Sequence, residues 1–292
     1  MLIREAVARG KDILLKAQQM PQAQGEHSVA LQDAVFEAKL LMQSLLDISP
    51  AQYILASDDL LPDALQDTYF SFIQQRSEGR PVAYILGKTG FWTLDLLSNE
   101  HTLIPRADTE TLVEWAINLN IAEQPQVLDL GTGTGAIALA IAKERPRWQV
   151  TGLDRIEGAV ALAKQNAAMN KLSVSFVQSD WFSVLETETP KAFDLIVSNP
   201  PYVEPDSKYL RQGDLRFEPH SALIAENNGM ADIQKIVEQA PLHLNSKGWL
   251  LIEHGFEQAH AVQTLFSKHG FSSIETKCDL NLQPRVTGGL LI

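Results

Sequence analysis

The sequence predicts an open, largely parallel α/β sheet that follows a smaller helical domain. From Gln126 onward, short and nearly continuous apolar runs alternate with helical stretches, as in a parallel sheet covered on both faces. A glycine-rich turn, Gly131-Thr132-Gly133-Thr134-Gly135, follows the first of these runs directly. Residues 1–80 instead carry apolar stripes at helical spacing.

In the N-terminal region the stripe Val35, Ala38, Met42, Leu45 predicts one helix, and Leu65, Tyr69, Phe72, Ile73, Arg76 a second that ends near Gly79. Ser49-Pro50 between them reads as an N-cap followed by the first helical residue. Residues 81–107 form a connecting segment. Tyr84-Ile85-Leu86-Gly87 and Phe91 to Leu96, separated by Lys88-Thr89-Gly90, read as a β-hairpin with Phe91 and Trp92 in its core. Asp108 is then placed to cap a helix running to about Asn118, and Arg106 before it reads as a local salt-bridge partner in preference to a residue reaching into a nearby cleft.

Residues 108–292 carry the sheet. Its strands are predicted at Val127 to Leu130, Gln149 to Leu153, Ser173 to Val177, Phe193 to Ser198 and Gly248 to Glu253, with two more near the C-terminus. Helices fall at Ala136 to Ala142, around Ala159, Leu162 and Ala163, from about Met230 to Ala240, and around Ala259, Val262 and Phe266. The last strand, Arg285 to Ile292, follows its neighbour after a short loop, which predicts an antiparallel pair at the sheet edge.

Composition narrows the function classes. Hydrophobic residues make up 45% and charged residues 21%, ordinary for a globular protein. No long stretch lacks charge and no secretory leader is visible, so neither a membrane span nor export is expected. A single cysteine, Cys278, excludes an internal disulfide, fits a reducing compartment and points to the cytoplasm. The seven histidines show no metal-ligand spacing. A net charge of -12 argues against general attraction to nucleic acid.

The glycine turn lets backbone N–H groups and a helix N-terminus approach a ligand. With Ala136 it also satisfies the dinucleotide pattern G-x-G-x-x-A, so alone it does not separate NAD from S-adenosyl-L-methionine. Asp154, at the second strand tip, is placed to accept two ribose hydroxyls, and a helix-capping role is compatible with that. Asp180 and Trp181 after the third strand supply a carboxylate for an exocyclic amine and an aromatic wall for a purine. Asp129, at the mouth of the turn, can attract an ammonium group.

Asn199-Pro200-Pro201-Tyr202, directly after the fourth strand, separates the two donors. Proline cannot pair in a sheet, so the strand stops with its last carbonyls free to accept hydrogen bonds. Asn199 and the Pro200 carbonyl can hold the two N–H groups of a planar NH2, with Tyr202 packed on its flat face. Methyl transfer to such a nitrogen uses this arrangement, whereas hydride transfer does not.

These motifs, with Arg80 to Gly87, Phe91-Trp92, Leu103 to Glu110, Leu128 to Gly135, Ser179 to Phe182 and Arg216 to Pro219, resemble the protein-(glutamine-N5) methyltransferases. The resemblance implies a class I S-adenosylmethionine-dependent methyltransferase fold, with a Rossmann-like seven-stranded sheet whose last strand is antiparallel. It implies methyl transfer from S-adenosyl-L-methionine, giving S-adenosyl-L-homocysteine, to the Gly-Gly-Gln glutamine of peptide chain release factors, modulating translation termination. It places Gly131 to Gly135, Asp154, Trp181 and Asn199 on the donor, and Asn199, Pro200, Pro201 and Tyr202 on the glutamine. Pro284 stands where the family has an acidic residue before Arg285, which is therefore read as an edge-strand charge; Glu218 either lines the acceptor cleft or pairs with Arg216.

The alternatives are glutamine methylation of a ribosomal protein, adenine-N6 methylation of DNA, and a catalytically silent scaffold that binds release factors. The DNA reading needs a base-flipping pocket and a basic surface, against which the acidic charge weighs. A monomer is expected, without direct nucleic-acid binding.

Overall fold

The computed structural model describes residues 1–18, 31–186 and 192–292, which divide into two units. The first comprises Met1–Gly87 with Lys208–Phe217, and the second Lys88–Ser207 with Glu218–Ile292.

The first unit is helical: α1 (Ile3–Gln18), α2 (Leu31–Leu46), α3 (Pro50–Ala56), α4 (Asp63–Ser77) and α5 (Val82–Leu86). Ala34, Ala38, Leu41 and Met42 of α2 and Tyr69 and Ile73 of α4 are buried together, the i, i+4, i+7, i+8 recurrence that makes one helix face apolar. Ser49 caps α3 through a reciprocal box: Gln52 N–H donates to Ser49 Oγ at 3.2 Å and Ser49 N–H donates to Gln52 Oε1 at 2.8 Å. Arg76 ends the α4 stripe in a part-buried fork on Glu37 (2.9 and 2.7 Å) and reaches Asp214 at 2.9 Å. That last pair ties Lys208–Phe217 into the unit.

The expected hairpin is displaced. Val82–Leu86 is a short helix, and the strands are β1 (Lys88–Phe91) and β2 (Leu94–Leu97). Pro81 precedes the helix, where a missing N–H costs nothing, and Gly87 ends it in the left-handed region at φ +67°. The turn lies at Trp92-Thr93, with Trp92 at φ +57°. Phe91 is buried and Trp92 half-buried against the same core.

The second unit is a seven-stranded sheet in the order β5-β4-β3-β6-β7-β9-β8. The strands are β3 (Gln126–Leu130), β4 (Gln149–Asp154), β5 (Ser175–Gln178), β6 (Phe193–Ser198), β7 (Leu244–Glu253), β8 (Phe271–Cys278) and β9 (Pro284–Leu291). β3 to β7 pair in parallel, and β9 runs antiparallel to both neighbours. Helices α6 (Glu110–Ile117), α7 (Ala136–Glu144), α8 (Glu157–Asn170), α9 (Ala231–Gln239) and α10 (Ala259–Lys268) connect the strands. The apolar cores hold α6, α7 and α8 in one cluster and α9 and α10 in another.

One expectation is borne out here and one is corrected. The last two strands form the antiparallel pair at the sheet edge, β9 beside β7 and β8 outermost. Gly288 and Gly289 are what admit β9, since a Cβ at Gly288 would lie 2.4 Å from Leu251 and 2.6 Å from Trp115. Asp108 does not cap α6. It sits in a 3-10 turn, Ala107–Thr109, where its carboxylate lies 3.4 Å from Arg285, and α6 has no side-chain cap.

Candidate functional site

The chain runs outward from β3 through β4 to β5, then returns to lay β6 on the other side of β3. The crevice at the carboxyl ends of strands beside such a reversal is where open α/β sheets bind ligands. A cleft of about 910 Å3, open mouth included, lies there.

Its floor is the glycine loop. Gly131 and Thr132 N–H both donate to Leu153 O at 2.9 Å, which pins the loop to β4. Gly131, Gly133 and Gly135 have φ of +70°, +54° and +83°, the left-handed backbone that glycine adopts without strain. A Cβ at Gly131 would meet the Trp181 ring at 3.4 Å. Asp154 stands beside the loop and accepts from Gly133 N–H and Ile156 N–H, each at 2.9 Å. It thereby braces the turn before α8 while each oxygen retains capacity for a further donor. Burial raises its pKa, against the pull of those two N–H groups.

Trp181 is both wall and core. It is 9% exposed and has φ +50°, while its ring lines the cleft. Asp180 lines the cleft from a solvent-exposed position and pairs with Lys235 at 3.2 Å. Asp129 lies beneath the cleft, fully buried, and is not among the lining residues. Its Oδ2 accepts from Thr132 Oγ1 at 2.6 Å and Ala138 N–H at 3.3 Å, while Oδ1 has no partner among the described residues. Burial pushes its pKa up to about 7 against those hydrogen bonds.

At the β6 tip, Ser198 Oγ donates to Leu130 O at 2.8 Å and ties β6 to the strand carrying the glycine loop. Asn199 and Pro201 line the same cleft as Gly131 to Thr134, Asp154, Asp180 and Trp181. Gly135, Pro200 and Tyr202 do not line it. Gly135 is the α7 N-cap, and Pro200 is buried. The Tyr202 hydroxyl donates to Glu253 Oε1 at 3.2 Å, and burial raises its pKa.

Three polar roles differ from those read in the sequence. Glu218, 3% exposed, pairs with Arg106 at 2.6 Å and accepts Ile104 N–H at 3.2 Å rather than pairing with Arg216. Arg216 instead stacks on Phe217 and donates to Glu78 O. Arg285 is no edge charge: it is held by Asp279 at 3.0 Å and Asp108 at 3.4 Å on an interior strand. Sequence reasoning also missed Thr102, Thr109, Arg155 and Ser221 as lining residues. Thr102 and Thr109 flank or fall within Leu103 to Glu110, whose similarity to known methyltransferases is the only signal for them. The Arg155 guanidinium donates to Ser221 O at 3.0 Å, a contact no local pattern announces.

A methyltransferase-domain family model matches residues 121–282, and a PrmC N-terminal domain model matches residues 22–87. The release factor glutamine methyltransferase of Pasteurella multocida is 45% identical over 273 residues, covering 88% of this chain and 91% of its own. The chain belongs to the release factor glutamine methyltransferase family. Its relatives include the Pseudomonas aeruginosa protein of the same name, 48% identical over 79% of this chain and 83% of its own. Among solved structures, the hMettl16 catalytic domain in complex with MAT2A 3'UTR hairpin 6 aligns over 78% of this chain and 81% of its own, at a TM-score of 0.53 and 14% identity. A methyltransferase from Pyrococcus furiosus aligns over 68% of this chain and 89% of its own, at a TM-score of 0.50 and 18% identity. These two bear on the fold alone, a class I methyltransferase sheet. Among the described residues, no helix is long and apolar enough to cross a membrane.

Proposed function

We propose that the protein transfers the methyl group of S-adenosyl-L-methionine to the side-chain amide nitrogen of the Gly-Gly-Gln glutamine in peptide chain release factors. The observation that carries this reading is one cleft lined by both the glycine loop and Asn199, in a chain 45% identical to a release factor glutamine methyltransferase over 88% of its length. S-adenosyl-L-methionine is the methyl donor, and when bound it supplies an electrophilic methyl on a sulfonium that departs as a neutral thioether.

The residues present fit such a donor. Glycines at positive φ leave the loop open, Asp154 has acceptor capacity for ribose hydroxyls, and Trp181 offers a ring face. Asp129 lies beneath the loop, where in its ionised form it would favour an ammonium group. On the acceptor side, Asn199 Oδ1 accepts an N–H of the glutamine amide from the cleft wall, while Pro200 and Tyr202, which do not line the cleft, hold the turn behind it. With donor bound, the nitrogen held at Asn199 would take the methyl as the methyl–sulfur bond breaks, and would give up a proton to water. Positioning supplies most of the rate, up to about 7 to 11 kcal/mol where two reactants are held in attack geometry. Cys278 is exposed and unpaired, and no covalent enzyme intermediate is required.

The reading puts the reaction in the cytoplasm, where release factors act. The reading takes the protein to act as a monomer. The test is incubation with methyl-labelled donor and, separately, release factor, ribosomal protein and DNA, followed by mass spectrometry. One methyl on the release factor glutamine is expected. Label on DNA alone would overturn the reading, and label on the ribosomal protein alone would move the acceptor.

A further inference from the structure

The cleft also takes in a cation that the proposed reaction leaves without a role. Arg106 lines it with a side chain 35% exposed, and its Nη2 donates to Glu218 Oε2 at 2.6 Å. The Glu218 side chain is fully buried, and its Oε1 accepts Ile104 N–H at 3.2 Å. A carboxylate taken out of water is costly unless it is paired, so Glu218 binds Arg106 and fixes where its guanidinium points. A guanidinium carries five N–H groups in a planar fork, and the bond to Glu218 uses one of them. The fork keeps donors for a second partner.

The side chains read for the donor follow the strand order. Asp180 and Trp181 come after β5, Asp154 ends β4, the glycine loop follows β3 and Asn199 follows β6, in a sheet ordered β5-β4-β3-β6. A donor with its purine at Trp181, its ribose at Asp154 and its methyl facing Asn199 therefore runs along the sheet edge from β5 toward β6. Beyond the sulfonium it has only its amino-acid end, whose carboxylate is the one anionic group it carries.

Arg106 stands at that end. Thr109 N–H donates to Arg106 O at 3.1 Å, and Asn199 Nδ2 donates to Thr109 Oγ1 at 3.1 Å, which sets the Arg106 turn against the β6 tip. Helix α6, which this turn leads into, packs on β6, β7 and β9. The other lining arginine, Arg155, directly follows Asp154 at the ribose end, and its guanidinium donates to Ser221 O at 3.0 Å.

We infer that Arg106, held by Glu218, binds the carboxylate of the methyl donor. This rests on the reading of the cleft as an S-adenosyl-L-methionine site, and it names the residue by which the site tells the intact donor from one lacking that carboxylate. Arg106 and Glu218 are neutral as a pair, so recognition comes from directed N–H groups, the fork that a planar carboxylate matches.

The test is calorimetry on the full chain with S-adenosyl-L-methionine and with its decarboxylated form, which keeps the sulfonium and the ammonium. Wild type is expected to bind the decarboxylated form about tenfold or more weakly, the worth of a hydrogen bond to a charged group. Arg106→Gln is expected to lose about the same factor toward S-adenosyl-L-methionine and to bind the decarboxylated form within about twofold of wild type. Because that change leaves Glu218 buried without its partner, the double variant Arg106→Gln with Glu218→Gln removes both charges together and is expected to show the same pattern if the single variant does not fold. A folded variant that binds S-adenosyl-L-methionine within twofold of wild type, or that loses both ligands alike, overturns the inference. So does a raised KM for release factor at unchanged donor affinity, which would put Arg106 on the acceptor. If wild type binds neither ligand, the donor reading falls and the inference with it. If wild type binds S-adenosyl-L-methionine and the variants still prefer it to the decarboxylated form by the wild-type factor, only the inference falls.

Discussion

Replacing Asp129 by asparagine measures how much stability the glycine-loop strand gives up to hold a carboxylate beneath the cleft. The group is fully buried, and its folded-state pKa is about 7 against an ordinary value of 3.8. Because the folded value lies above the unfolded one, the folded chain keeps a proton that the unfolded chain sheds as pH rises from about 4. Stability therefore falls between about pH 4 and 7 and levels off above that. At about 1.4 kcal/mol per unit the full shift comes to about 4 kcal/mol, of which roughly 2 to 3 lies between pH 5 and 8. The asparagine side chain keeps an oxygen for Thr132 Oγ1 and Ala138 N–H but cannot ionise. The difference in unfolding free energy between variant and wild type should thus move by roughly 2 to 3 kcal/mol in favour of the Asp129→Asn variant from pH 5 to 8. Glu253 contributes a trend of the same sign to both chains and cancels. Urea denaturation followed by circular dichroism at four pH values, without donor, measures it. A difference constant to within about 0.5 kcal/mol across that range would refute the argument that burial dominates at this carboxyl.

The other expectations concern the acceptor site and the helical unit. Asn199→Ala should lower turnover by on the order of 10² while donor affinity, read by calorimetry, changes far less. Gly229 has φ +75°, and a Cβ there would lie 2.1 Å from the Tyr202 carbonyl oxygen, so Gly229→Ala must displace Tyr202. It should destabilise by about 1 to 3 kcal/mol and lower kcat, and wild-type kcat would show that this backbone contact is not what holds Tyr202. Arg76→Ala leaves Glu37 and Asp214 without their shared partner and should cost about 3 kcal/mol or more in thermal melts. Limited proteolysis should then cut within 208–217 first, and an unchanged cleavage pattern would argue that Asp214 does not hold that segment.

What is legible in the sequence has a local physical cause. The α2 and α4 stripes, the Ser49 cap and the parallel strands rest on spacing and on residues that act within a few positions of themselves. The hairpin is misplaced from sequence because Tyr84 to Gly87 has the apolar content of a strand, and only the Pro81 and Gly87 boundaries make it a helix. Asp108 reads as a cap because Arg285, 177 positions away in the chain (285 minus 108), cannot be seen from its neighbours.

By itself the sequence determined the sheet, the glycine loop and the Asn199 to Tyr202 turn that ends β6, because glycine, proline and apolar periodicity constrain the backbone wherever they occur. Only the tertiary structure decided that Glu218 belongs to Arg106, that Arg285 sits on an interior strand, and that Glu253 accepts from the Tyr202 hydroxyl. A buried charge takes its partner from whatever the fold brings within about 3 Å, and that is set by strand order, which residue spacing along the chain does not encode.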